Sequence, residues 1–345
     1  MRTLSLAAVT ILLGGTLLSA DGPPKKKETV EVRQFSYGIH IRQLVFSPDG
    51  KLVVTDDQIW DAGTGKKIRT LPLPPLKERG GSTPFRLAFS PDSWHVAIHR
   101  YDDLVLVEVA SGKELWTVKL PNRNPYYSLM PGLAFTPDGT HLVTARNDEG
   151  LVRVFAVANG KEIRKFPYDS DVGGLTGAAI ESFGISADGK RLVVHRYEYL
   201  QIAGLVLLDL ETGKELARHR LSEEEAPARF SVLSPGGRHV FYTKKGSIHM
   251  IDVKTGKEIR RFDSNGEYAY SVCCSHDEKY VVAGVLEKAK TGSPHWIEFW
   301  DIATSKTIRV IQGNGALGSP TLSPDGRFLL TTFNEKTAQL WRLEK

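Results

Sequence analysis

Residues 132–166 read GLAFTPDGTHLVTARNDEGLVRVFAVANGKEIRKF, and the order of turn and strand signals in this one stretch decides the fold. Thr136-Pro137-Asp138-Gly139 is a tight-turn signal, because proline presets φ, aspartate bonds its own backbone and glycine supplies a positive φ. Asn159-Gly160-Lys161 is a second turn, of the hairpin kind. Apolar runs flank both turns, and Ile163 alternates with charged neighbours, as in a strand with one face covered. The stretch therefore predicts four antiparallel strands, a to d, joined by a tight a–b turn, a variable b–c loop and a tight c–d turn.

The same unit recurs along the chain. Ser-Pro-Asp-Gly or a near relative stands at Ser47, Ser90, Thr136, Ser186, Ser234, Ser275 and Ser323, at intervals of 41 to 50 residues. The second turn recurs as Thr64-Gly65-Lys66, Ser111-Gly112-Lys113, Thr212-Gly213-Lys214, Thr255-Gly256-Lys257 and the degenerate Thr304-Ser305-Lys306. Three residues past each of these glycines, or past Ser305, stands Ile68, Leu115, Ile163, Leu216, Ile259 or Ile308, which predicts a half-buried strand d. Four-stranded units at this period make propeller blades. The expected fold is all-β, a seven-bladed β-propeller over residues 28–345. The seventh unit stops at Leu343 in strand c, and Glu31-Val32-Arg33-Gln34-Phe35 matches the strand d segments Glu162–Phe166 and Glu258–Phe262. An N-terminal strand is thus expected to close the last blade and remove its exposed edge.

Composition agrees with a folded, soluble chain. At 41% hydrophobic and 25% charged, disorder and a polytopic membrane protein are both excluded. Lys and Arg number 45 against 40 Asp and Glu, and this small excess is spread along the chain, which argues against a nucleic-acid binder. The cysteines, Cys273 and Cys274, are adjacent and cannot build a disulfide framework. Arg2, the apolar run Leu4–Leu18 and Ser19-Ala20 have the layout of a signal peptide over 1–20, followed by a linker over 21–27. Export to the periplasm or cell exterior is expected. Lys25–Lys27, positive charge just after the apolar run, oppose export, and an uncleaved membrane anchor is the alternative because Leu18 near the cut is not small, though fifteen apolar residues fall short of the ~20 of a spanning helix.

Strand c ends in Trp60-Asp61 and Trp300-Asp301, with Trp341 in register and Leu208-Asp209 and Ile251-Asp252 at equivalent positions. On these residues the chain resembles the WD40-repeat family over 28–345, in a divergent, secreted bacterial form. Val107-Glu108 and Phe155-Ala156 depart from the pattern, and no blade carries the family's Gly-His pair; His40 lies too close to Ser47, and Gly313-Asn314 is the nearest imitation. The resemblance implies partner binding through rim loops and the central opening. Lactonase-like and other seven-bladed propellers share the same fold signals.

No segment carries a catalytic or metal motif. Gly313-Asn314-Gly315-Ala316-Leu317-Gly318 matches G-x-G-x-x-G but precedes a strand, whereas a nucleotide loop must open a helix. His95, His141 and His239 share one repeat register and His99 and His195 another, so they lie on different blades and cannot converge on one metal. Asp169-Ser170-Asp171-Val172-Gly173-Gly174 begins like a calcium loop but lacks the later acidic ligands. Cys273 and Cys274 fall where other units hold small or aromatic core residues. No cofactor is expected.

The antiparallel strand order places both repeated turns on one rim and the b–c and d–a loops on the other. The second rim carries the individuality of the blades, with Tyr37, Tyr101, Tyr126, Tyr127, Tyr168, Tyr197, Tyr199 and Tyr268 set among Arg100, Arg123, Arg146, Arg196, Lys244 and Lys245. Tyr and Arg anchor interfaces because they bury a large area while keeping a polar tip satisfied. The expected function is a non-catalytic scaffold that binds protein partners through this rim, as a monomer. The alternatives are a hydrolase or lactonase-like enzyme with a site over the channel, or a glycan-binding propeller.

Overall fold

The computed structural model describes residues 29–36, 43–55, 57–71, 85–100, 102–121, 132–146, 150–168, 179–198, 201–220, 230–244, 246–287, 295–312, 320–333 and 337–343. The chain opens with β1 (Thr29–Ser36). Blade 1 holds β2 (Leu44–Phe46), β3 (Leu52–Thr55), β4 (Gln58–Asp61) and β5 (Lys67–Thr70). Blade 2 holds β6 (Phe85–Phe89), β7 (His95–Arg100), β8 (Asp103–Glu108) and β9 (Glu114–Lys119). Blade 3 holds β10 (Gly132–Phe135), β11 (His141–Arg146), β12 (Leu151–Ala156) and β13 (Glu162–Pro167). Blade 4 holds β14 (Ala179–Ile185), β15 (Arg191–Glu198), β16 (Gln201–Asp209) and β17 (Glu215–Arg220). Blade 5 holds β18 (Ser231–Leu233), β19 (His239–Lys244), β20 (Ser247–Asp252) and β21 (Glu258–Asp263). Blade 6 holds β22 (Tyr268–Cys274), β23 (Tyr280–Leu286), β24 (His295–Asp301) and β25 (Thr307–Gln312). Blade 7 holds β26 (Thr321–Leu322), β27 (Phe328–Phe333) and β28 (Thr337–Leu343), and β1 pairs antiparallel with β28 from Thr29↔Leu343 to Ser36↔Thr337. The fold is the expected all-β, seven-bladed propeller, closed by its N-terminal strand.

The two middle strands of each blade are buried on both faces, as in the run Val96 to His99 of β7 and Leu104 to Val107 of β8. A sheet sandwiched between two others has no solvent face, which is why these strands read as continuous apolar runs. The hydrophobic core is divided among seven clusters, one at each seam. The seam that shuts the ring packs Phe46, Val53 and Trp60 of blade 1 against Leu330, Ala338 and Leu340 of blade 7. Strand d lies outermost, and Ile68, Leu115, Ile163, Leu216, Ile259 and Ile308 retain 40–49% of their exposure there. Strand d is half-covered as expected, but these aliphatics lie on its exposed face and not on the covered one: the next residue, Arg69, Trp116, Arg164, Arg260 or Arg309, is the half-buried one.

Candidate functional site: two unlike rims and an axial cavity

On the rim of repeated turns, side chains complete the same geometry in blade after blade. Ser47 Oγ donates to Asp49 Oδ1 (2.6 Å) and accepts the Leu52 N–H (2.9 Å), while Asp49 Oδ1 accepts the Lys51 N–H (3.1 Å). Thr136, Ser186, Ser275 and Ser323 repeat the arrangement with Asp138, Asp188, Asp277 and Asp325. The hydrogen bonds from the Thr136 hydroxyl and the Thr140 N–H hold the Asp138 carboxyl below its usual range. All seven turns place a left-handed residue at the fourth position, and Ser93 (φ 67°) and Glu278 (φ 54°) occupy it where glycine is missing. Both repay the strain with a bond to the preceding blade: Ser93 Oγ accepts the Asp49 N–H (3.1 Å), and the Glu278 carboxylate accepts the Gly236 N–H. The latter falls in the one turn, Ser234-Pro235-Gly236-Gly237, that has no aspartate of its own.

The c–d turns explain the acidic residue at the end of strand c. Asp61 Oδ1 accepts both the N–H (2.5 Å) and the hydroxyl (2.7 Å) of Thr64, and Asp209, Asp252 and Asp301 do the same for Thr212, Thr255 and Thr304. Glu108 accepts from the Ser111 hydroxyl instead, and in blade 3, where Ala156 has no carboxylate, Asn159 Oδ1 takes the Lys161 N–H (3.0 Å). Two strand c tryptophans point into their blades: Trp60, before Asp61, and Trp341, before Arg342, donate to the hydroxyls of Thr55 (2.8 Å) and Thr331 (3.0 Å).

A set of staples crosses the seams on this side. Arg69, Trp116, Arg164 and Arg260 each stand four residues past the turn glycine and donate to a carbonyl in the next blade's c–d turn, namely Ala110, Val157 (2.7 Å), Leu210 with Glu211 (3.2 and 3.0 Å) and Ala303 (2.7 Å). In blade 4 that position is Ala217, and His219 Nε2 meets Val253 O (3.0 Å) two residues later. Sequence reasoning had not singled these out, although four share one register. Grooves of about 620 and 450 Å³ at the seams between blades 3 and 4 and between blades 6 and 7 are lined by these turns.

The opposite rim is built from unlike parts. Arg100, Arg146 and Lys244 sit at the ends of β7, β11 and β19, all half-buried. Arg146 Nη1 donates to Pro121 O (3.1 Å), which ties the start of a d–a loop to its blade. Tyr268, at the start of β22, is 45% exposed. Tyr168 is 2% exposed: it packs in the core between blades 3 and 4, and its hydroxyl donates to Arg146 O (3.3 Å). This tyrosine holds a loop in place and offers no surface to a partner, contrary to its expected place on the binding rim. Arg196 and Tyr197 belong to β15, opposite Ile180 and Ala179. Tyr37, Tyr101, Arg123, Tyr126, Tyr127, Tyr199 and Lys245 lie outside the described residues, as do Gly313–Gly318 and Asp169–Gly174. Glu298, missed in the sequence, organises the short d–a loop of blade 6. Its carboxylate accepts from Asn265 Nδ2 (2.7 Å), the Asn265 N–H (3.3 Å), Trp296 Nε1 (3.3 Å) and the Thr307 hydroxyl (3.1 Å), and burial pushes its pKa up.

The buried histidines are cross-blade links. His99 Nδ1 lies 2.6 Å from Thr144 Oγ1, whose single proton goes to Gly132 O (2.7 Å), so the imidazole carries its proton on Nδ1. His195 Nδ1 lies 2.5 Å from Ser231 Oγ of blade 5, and burial lowers its pKa to about 4. Among the described residues no group of three His, Cys, Asp or Glu side chains could hold a metal ion. Burial also raises the thiols of Cys273 and Cys274, the latter to about 12, so both are protonated and inert near neutrality.

The inner strands β6, β10, β14, β18, β22 and β26 touch in succession, and β26 touches β2. Blades 1 and 2 are joined by Gln43, whose side chain pairs with the free edge of β6: Nε2 donates to Leu87 O (3.2 Å) and Oε1 accepts the Leu87 N–H (2.7 Å). Within this ring lies a cavity of about 350 Å³, lined from blades 1 to 5 and including Gln43, Arg86, Ser182 and Ser231.

A family model described as outer membrane protein assembly factor BamB (PQQ_2) matches residues 100–269, from the end of β7 to the start of β22. Nuclear distribution protein PAC1 of Arthroderma otae is 27% identical over 111 residues, covering 28% of this chain and 24% of that protein. The PAC1 proteins of Arthroderma benhamiae and Trichophyton verrucosum match to the same extent. The match thus spans about a quarter of the length of these curated relatives, and none of the printed names is that of an enzyme. Turn geometry, strand order and these similarities agree, and the chain is a seven-bladed β-propeller with WD40-like repeats.

Proposed function

We propose that this propeller is a non-catalytic protein-binding platform that works outside the cytoplasm, and that its contact face is the rim of b–c and d–a loops. The contrast between the rims carries the reading. On one rim the polar side chains of the repeated turns are consumed in completing those turns, whereas on the other the basic strand ends Arg100, Arg146 and Lys244 and the exposed Tyr268 follow no structural template shared by all blades. Similarity to an outer membrane assembly factor supports a partner in the cell envelope, in keeping with the signal-peptide layout of residues 1–20 and the linker 21–27. The names of the similar proteins support a non-enzymatic role.

A photo-crosslinking residue placed at Tyr268 tests the reading against one placed at Lys113, which is exposed on the opposite rim. The proposal expects discrete adducts from the Tyr268 position in living cells and none from Lys113. Adducts from Lys113 alone would transfer the contact face to the rim of turns.

A further inference from the structure

The rim of turns carries features that its turn geometry does not call for. The residue after each a–b turn keeps one register, because its carbonyl accepts the N–H that follows strand c, as Lys51 O does from Ala62 (2.8 Å) and Trp94 O from Val109 (2.8 Å). Five of the seven residues at this register are exposed cations, Lys51, Lys190, Arg238, Lys279 and Arg327, and Thr140 is the sixth. The seventh is Trp94, whose side chain is 70% exposed. It is the most exposed large apolar residue among those described, and the other five tryptophans of the chain are buried or half-buried. A lysine also follows each c–d turn glycine, or Ser305, and all six of these are exposed. With the six aliphatics at the start of strand d, this end holds seven of the ten exposed large apolar side chains among the described residues.

The closing strand brings the N-terminal charge to the same end. Thr29 of β1 pairs with Leu343, and the Leu343 N–H donates to Arg327 O (2.7 Å), so β1 starts on the rim of turns and runs toward the loop rim. Lys25, Lys26 and Lys27 precede Thr29 by two to four residues, a reach of at most about 15 Å, and the apolar run Leu4–Leu18 lies further up the same lead. The carboxylates of this rim accept the N–H and hydroxyl groups of their own turns, which holds them closer to the backbone than ammonium groups on four-carbon stems. An exposed indole, aliphatic side chains and long cations at one end of the ring suit a surface that meets lipid headgroups. The indole sits at headgroup level, and lysine stems lie along apolar surface while their ammonium groups reach phosphate. We propose that the rim of turns rests on an anionic lipid bilayer, with Trp94 as its interfacial anchor and the turn lysines as counter-charges. The loop rim then faces away from the bilayer. This proposal does not rest on the loop rim being the protein-binding face.

Vesicles of phosphatidylcholine and phosphatidylglycerol with brominated acyl chains test it on the full chain. Bromine quenches an indole only at close approach, and Trp94 is the one exposed tryptophan of the six. Part of the tryptophan emission should be quenched by these vesicles and not by unbrominated ones, and Trp94→Phe should abolish the effect. Lys113→Glu with Lys161→Glu should lower the quenching by about half or more, because each reversal sets a negative charge against the phosphates. Phe230→Ala, which removes an exposed aromatic ring at the loop-rim end of blade 5, should leave it unchanged, and all variants should keep the parent's melting temperature. No quenching, even where the chain sediments with the vesicles through its N-terminal apolar run, would overturn the proposal. So would quenching that survives Trp94→Phe, or that Phe230→Ala lowers as far as the lysine pair does.

Discussion

His195 makes the stability of the ring depend on pH in a way that one substitution should remove. The side chain is fully buried on β15, its Nδ1 meets Ser231 Oγ of the next blade at 2.5 Å, and burial lowers its pKa from 6.5 to about 4. Below pH 6.5 the unfolded chain takes up a proton at this residue, and the folded ring does not until the pH approaches 4. A depressed folded-state pKa therefore contributes stability that is present above 6.5 and lost as pH falls through that window. With 1.36 kcal/mol per unit of separation, the loss between pH 7 and pH 4.5 is about 2 kcal/mol from this one group. His195→Asn keeps a donor near the Nδ1 position and cannot titrate. Urea unfolding of both proteins at the two pH values gives four free energies, and contributions from the other titrating groups cancel in their double difference. The parent should lose about 2 kcal/mol more than the variant on acidification. Equal losses, or a larger loss in the variant, would refute the claim that a neutral imidazole is locked into this seam.

The remaining predictions concern turns and closure. Ser305 holds a φ of 59° where the other c–d turns have glycine, and its side chain has no hydrogen-bond partner among the described residues, so Ser305→Gly should stabilise the fold by about 0.5–1 kcal/mol in chemical denaturation. The same change at Glu278 should stabilise less or destabilise, because it forfeits the bond to the Gly236 N–H. Deleting residues 28–36 removes the paired length of β1 along β28 and should cost on the order of 5 kcal/mol, seen as a large fall in melting temperature. An unchanged melting temperature would mean that β1 is not the closing strand.

Blade number, strand order and closure are legible in the sequence because each rests on local chemistry. A positive φ calls for glycine, and a strand between two sheets must be apolar on both faces, so Gly50, Gly65 and their equivalents announce the turns on their own. Contacts across seams are not local. Arg69 and Ala110 lie 41 residues apart, and nothing along the chain says that one reaches the other, although a long donor four residues past the turn glycine in several units was a readable hint. Tyr168 shows the opposite failure, since tyrosine in a variable loop has the same signature whether it faces a partner or packs under the loop. Only its 2% exposure separates the two. The axial cavity left no trace in the sequence because Gln43, Arg86, Ser182 and Ser231 come from four blades and meet only when the ring closes.

The contact face is tested most directly by comparing capture from an envelope extract of the source organism by three folded forms of the protein. These are the parent, a Lys244→Glu and Tyr268→Ala double variant on the loop rim, and a Lys113→Glu and Lys161→Glu double variant on the rim of turns. The account predicts that the first double variant weakens retention of the partner by about 2 kcal/mol or more at an unchanged melting temperature, while the second retains it as the parent does. Retention unaffected by the loop-rim variant but abolished by the turn-rim variant would contradict it.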